Sequence, residues 1–184
     1  MNVLLTSCGL ETPAIADAFL RMLPVAPTEA RILFVPTAAV NPDAIEVLPK
    51  CLADMLKIGV PQGNITVYDL HDPIEGPLAE RWHAVYLCGG ETRYLLRRIN
   101  EGGFREQLLD FIRDNGVVLG VSAGSIIFAS TLPENLGLLS CPLDVHCHDD
   151  ACDRPGPVAE ACERVRLGNR QALLWRDGVP CVMA

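Results

Sequence analysis

Residues 117–121, Val-Val-Leu-Gly-Val, are apolar at every position and run without a spacer into Ser122-Ala123-Gly124-Ser125. A strand that is apolar on both faces belongs inside a parallel sheet covered by helices on its two sides. The stretch 124–130 that follows reads as a short apolar helix, so strand and helix leave only a tight turn for Ser122. This pairing restricts the chain to an α/β architecture, and it places one hydroxyl at the carboxyl end of a central strand. In open α/β sheets, sites form beyond the carboxyl ends of the strands.

The rest of the chain repeats the alternation. Strands are predicted over 3–7, 31–36, 64–70 and 84–88. Helices are predicted from 13 to about 22, over 44–58, 92–99 and 104–113. Thr12-Pro13 and Asn41-Pro42 each supply a capping side chain followed by a proline suited to the first helical position. Gly59 and Asn115-Gly116 close two of the helices. After Leu139 the pattern weakens, with a short helix predicted over 159–165 and two strands, 172–175 and 179–183, around Asp177-Gly178. The 184 residues therefore predict one α/β hydrolase-type domain over 1–184, an open, mostly parallel sheet flanked by helices on both faces.

Charge narrows the partners. The formal net charge is −8, and Arg97-Arg98 is the densest basic pair. Phosphate backbones and anionic membranes call for a basic face, so neither nucleic acid nor membrane is an expected partner. No apolar stretch approaches a membrane span, and the first ten residues lack the form of an export signal. The eight cysteines are irregularly spaced and several sit in apolar runs. They read as reduced thiols in a cytoplasmic protein.

Gly120-Val121-Ser122-Ala123-Gly124 matches G-x-S-x-G, and its strand-turn-helix context is the one that motif needs. Small residues two before and two after the serine let the chain turn sharply. The Ala123 amide is then a candidate oxyanion donor, with a second at Gly90 in the Gly89-Gly90 turn after the fourth strand. A serine nucleophile needs a base. Among four histidines, His146 and His148 follow the nucleophile in Asp144-Val145-His146-Cys147-His148. In an extended strand Asp144, His146 and His148 would share one face, which leaves the choice of base open.

Leu5-Thr6-Ser7, Phe34-Val35-Pro36-Thr37-Ala38-Ala39, Gly89-Gly90-Glu91-Thr92 and Gly120-Val121-Ser122-Ala123-Gly124-Ser125 occur in an order that resembles the peptidase E family. These are aspartyl dipeptidases related to cyanophycinase, with a class I glutamine amidotransferase-like (flavodoxin-like) fold. The resemblance covers most of residues 2–130. It implies a serine peptidase acting through an acyl-enzyme on short peptides with an N-terminal aspartate, without a cofactor or metal. It places His148 at the catalytic histidine, with His146 the rival, and Asp177 at the acid, with Asp144 the runner-up. The order Ser122, His148, Asp177 differs from that of α/β-hydrolase esterases, where the acid precedes the histidine.

Some positions depart from the family pattern. Cys147 replaces a proline and Asp149 an aromatic. Glu91 stands where asparagine is common, and Arg93 where an aromatic is usual. Glu91 would repel an acidic substrate side chain and could instead receive a free amine; Arg93 could bind a carboxylate. Two other readings compete. One is an inactive amidotransferase-like binding module. The other is a zinc-binding protein using Cys141, His146, Cys147, His148, Cys152 and Cys162. The oligomeric state is open, a homodimer being the alternative to a monomer.

Overall fold

The computed structural model describes residues 1–176 and 178–184. In chain order it forms β1 (Asn2–Thr6), α1 (Pro13–Met22), β2 (Ile32–Val35), α2 (Pro42–Lys57), β3 (Ile65–Val67), α3 (Leu78–Arg81), β4 (Ala84–Leu87), α4 (Thr92–Glu101), α5 (Phe104–Arg113), β5 (Val117–Val121) and α6 (Ala123–Ile126). Then follow β6 (Leu143–Cys147), β7 (Gly156–Pro157), β8 (Val165–Gly168), β9 (Ala172–Arg176) and β10 (Pro180–Met183). The main sheet runs β3-β2-β4-β5-β1-β9-β10-β7. Its first five strands are parallel, and β9, β10 and β7 extend it antiparallel. A separate parallel pair, β6 and β8, stands beside it. This is an α/β fold with a mixed, mostly parallel sheet between helices, of flavodoxin-like or class I glutamine amidotransferase-like architecture.

Strand alternation sorts the core into two layers. Val3, Leu5, Leu33, Val35, Val85, Leu87 and Val118 meet Leu95 and Leu96 of α4 and Leu108 of α5. Their neighbours Leu4, Ile32, Phe34, Tyr86 and Leu119 meet Ile15 and Phe19 of α1 and Met55 of α2 on the opposite face. Each fully buried aliphatic side chain contributes about 1.5–3 kcal/mol of transfer free energy, so both faces drive sheet formation. The caps form as the sequence predicts. Thr12 Oγ1 accepts from the Ile15 amide at 3.2 Å, and Asn41 Oδ1 from the Ala44 amide at 2.9 Å.

Four expectations change. The segment 159–164 forms turns and bends rather than a helix, and Val165 begins β8. A helix that short is costly to nucleate without packing, and here Cys162 is tied to Cys141 by a disulfide. That bond also corrects the reading of all cysteines as reduced thiols; Cys8, Cys51, Cys88, Cys147, Cys152 and Cys181 are free. The helix after Ser122 ends at Ile126, because the chain folds back so that the Leu136 amide donates to the Ile127 carbonyl at 2.7 Å. The third strand shortens to Ile65–Val67 at the sheet edge. No helix among the described residues is long and apolar enough to cross a membrane.

Candidate active site

Ser122 links β5 to α6 with φ 48° and ψ −109°, a left-handed conformation costly for a residue with a side chain. Several contacts hold it there. Its amide donates to the Thr6 carbonyl at 2.9 Å. The buried Ser125 hydroxyl donates to the same carbonyl at 2.8 Å and accepts from the Thr6 amide at 2.9 Å, which fastens α6 to β1. Gly120 and Gly124 allow backbones to meet: a Cβ on Gly124 would lie 2.2 Å from the Leu87 carbonyl oxygen, and one on Gly120 2.5 Å from that of Gly124. The motif's spacing is thus the contact distance between β4, β5 and α6.

Gly89 lies against Ser122, with its would-be Cβ 3.2 Å from Ser122 Cβ. Gly90 has φ 138°, and a Cβ there would stand 2.0 Å from the Ala38 carbonyl oxygen. Only glycine fits this turn. The Glu91 amide then donates to that carbonyl at 2.7 Å. The Glu91 carboxylate caps α4, accepting from the Arg93 amide at 3.2 Å and from the Tyr94 amide. Glu91 and Arg93 line a cleft of about 420 Å³ with Tyr94, Arg97 and Glu134. Neither lines the cleft that holds Ser122.

The imidazole beside the serine is that of His146. Its Nε2 lies 3.0 Å from Ser122 Oγ. The pairing of β6 with β8 is irregular between Asp144 and Cys147, and His146 has φ 57° within that bulge. The bulge breaks the alternation that would put Asp144, His146 and His148 on one face, and re-aims His146 toward β5. Ser7 secures it: the His146 amide donates to Ser7 Oγ at 3.2 Å, and that hydroxyl donates to the Leu167 carbonyl at 3.1 Å. His148 falls beyond the end of β6 with an exposed side chain. Its carbonyl accepts from the Ala151 amide at 2.9 Å, and no described contact joins its ring to Ser122.

On the far side of the ring, Nδ1 lies 2.9 Å from Asn169 Oδ1 and 3.6 Å from Cys8 Sγ. Asn169 sits in the turn between β8 and β9, and Ala172 at the start of β9 pairs with Thr6 at the carboxyl end of β1. Asn169 was not among the expected site residues. Its one sequence signal is the Gly168-Asn169 dipeptide, a turn between apolar strands. Asp144 faces away into an ion pair, both its oxygens accepting from Arg164 Nη1 at 2.7 and 2.8 Å. Asp177 lies outside the described residues.

The cleft at Ser122 has a volume of about 580 Å³ and reaches from His146 and Gly90 across to the first half of α2. Three free thiols border it: Cys8, Cys51 and Cys88. Burial, with Glu11 adding to it, pushes the Cys8 thiol up, so it meets the imidazole uncharged. Hydrogen bonding with Cys88, set against burial, lowers Cys51 to about 7, while burial raises Cys88. The disulfide takes Cys141 and Cys162 out of the proposed zinc set. Among the described residues no three His, Cys, Asp or Glu side chains are grouped to hold a metal ion.

The model of peptidase family S51 matches residues 3–136, which include the β5 turn and the Gly89-Gly90 turn. The chain belongs to peptidase family S51. Two solved structures share the fold. A candidate peptidase E from Listeria monocytogenes EGD-e superposes with TM-score 0.73 at 16% identity, over 99% of this chain and 97% of that one. A peptidase from an acI-B1 actinobacterium superposes with TM-score 0.68 at 17% identity, over 100% of this chain and 87% of that one. No curated protein sequence matches. The S51 match ends at residue 136, before the bulged strand that delivers His146.

Proposed function

We propose that this S51 chain is a serine hydrolase of short peptides in which Ser122 is the nucleophile, His146 the base and Asn169 the group that orients the base. The observation that carries the reading is the 3.0 Å contact between His146 Nε2 and Ser122 Oγ. It joins two residues in left-handed backbone conformations, each held by its own packing. When the Asn169 carbonyl oxygen accepts from Nδ1–H, Nε2 is left as the acceptor that can take the serine proton. Attack on a peptide carbonyl places negative charge on its oxygen, where the Ala123 and Gly90 amides can donate. The same imidazole returns the proton to the leaving amine, and water then releases the acyl group from Ser122.

His146 replaces His148 in this proposal because only His146 is within hydrogen-bond reach of the serine. A fluorophosphonate probe tests the assignment. The wild-type protein and His148→Ala label at similar rates, whereas Ser122→Ala does not label. His146→Ala slows labelling by about 100-fold or more, the usual scale for a lost general base. A wild-type protein that never labels, or labelling lost in His148→Ala but kept in His146→Ala, refutes it.

A further inference from the structure

The cleft's charges bear on its substrate. Resting on the hydrolase reading above, we infer that the site takes peptides whose N-terminal residue has a free α-ammonium group and a neutral, apolar side chain, and that it disfavours an N-terminal aspartate. Among the described residues, Lys50 is the sole lysine or arginine lining the cleft. An ammonium group has three N–H donors. Those of Lys50 have three acceptors within reach: Glu11 Oε2 at 2.8 Å, the Cys8 carbonyl at 3.3 Å and Asp54 Oδ2 at 3.5 Å. A substrate carboxylate would have to displace one of them, and two are carboxylates already. Although burial opposes it, hydrogen bonding to Glu11 and the charge of Asp54 hold the lysine above its ordinary value, so it stays cationic within that set.

The remaining charge has the opposite sign. Glu11 and Asp43 both line the cleft, and Asp43 forms no ion pair among the described residues. Two carboxylates against one lysine leave the described lining with a net charge of −1. A positive group is attracted there, and a second carboxylate is repelled. The lining also includes Ala44, Val47 and Leu48 of α2 and Val121 of β5. This is an apolar wall for an uncharged side chain, the composition usual for a specificity pocket.

The test compares the p-nitroanilides of leucine, aspartate and N-acetyl-leucine, with fluorophosphonate labelling run in parallel. The leucine compound is expected to exceed the aspartate compound in kcat/KM by at least about tenfold, and N-acetylation to remove a similar factor. Glu11→Gln loosens Lys50 and narrows the gap between leucine and aspartate. Asp43→Asn slows the leucine compound and leaves N-acetyl-leucine unchanged. In a protein that labels at Ser122, preference for aspartate, indifference to N-acetylation or turnover of none of the three overturns this inference and leaves the hydrolase reading intact. A protein that neither labels nor turns over any of them removes both.

Discussion

Replacing Asn169 tests whether a neutral amide organises this site. In Asn169→Ala the His146 Nδ1 loses its acceptor at 2.9 Å and, among the described residues, keeps only the hydrogen-bond contact with Cys8 Sγ at 3.6 Å. A neutral hydrogen bond contributes about 0.5–1.5 kcal/mol, equivalent to a factor of about 2 to 13 in rate. The upper end applies here, since the bond also selects the tautomer that leaves Nε2 able to accept a proton. The second-order rate constant for fluorophosphonate labelling should therefore fall about tenfold. Asn169 is exposed, so the melting temperature should barely move. Asn169→Asp works in the other direction. A carboxylate near 4 Å from an imidazolium gains about 4 kcal/mol at an effective dielectric constant near 20, and solvent exposure reduces this to about 1 kcal/mol. Labelling should quicken about fivefold at neutral pH, and added salt should shrink that gain because the pair is exposed. Wild-type labelling rates in Asn169→Ala would refute the role assigned to this residue. A slower Asn169→Asp would refute the argument that a carboxylate here stabilises the imidazolium.

Three further outcomes follow from packing and titration. Gly124→Ala pushes a methyl group to 2.2 Å from the Leu87 carbonyl oxygen, a backbone atom that cannot swing aside. Overpacking costs about 1–3 kcal/mol, so calorimetry should show melting lowered by about 3–10 °C, and labelling should fall more than stability alone explains. Cys162→Ser opens the loop that the 21-residue separation closes. Chain entropy assigns that link about 3 kcal/mol, and its loss should lower the melting temperature and slow labelling, since Cys141 lies two residues before β6. Cys51, lowered to about 7 but buried, should be alkylated by iodoacetamide slowly, at a rate that climbs through neutral pH and then levels off. Cys8 and Cys147, both raised, should react appreciably only at higher pH, and peptide mapping across a pH series separates the three.

The legibility of this chain follows the range of the interactions involved. The parallel half of the sheet is written in local patterns: β5 is apolar on both faces because helices cover both, and Thr12 and Asn41 announce helix starts through bonds spanning three residues. Ser122 was legible for the same reason, as Gly120 and Gly124 are needed for contacts made within a few residues of the turn and against β4. The base was not. Whether His146 or His148 meets Ser122 depends on one bulge, and that bulge is fixed by Ser7, 139 residues earlier in the chain. Period-two alternation assumes a regular strand, and a single irregular residue reverses which side chains face the site. Asn169 was hidden for a similar reason. Its only local signature is that of a turn, and its role exists because β9 returns beside β1 and brings that turn to the carboxyl end of the sheet. Lys50 likewise reads as an exposed helix residue until Glu11, 39 positions away, is seen to hold it. The proposed nucleophile is thus encoded where it stands, whereas the proposed base, its orienting group and the charge of the cleft are encoded by pairings between distant segments. Substitutions at Ser7 and Glu11 should accordingly disturb the site as surely as substitutions near Ser122, although neither residue takes part in the proposed chemistry.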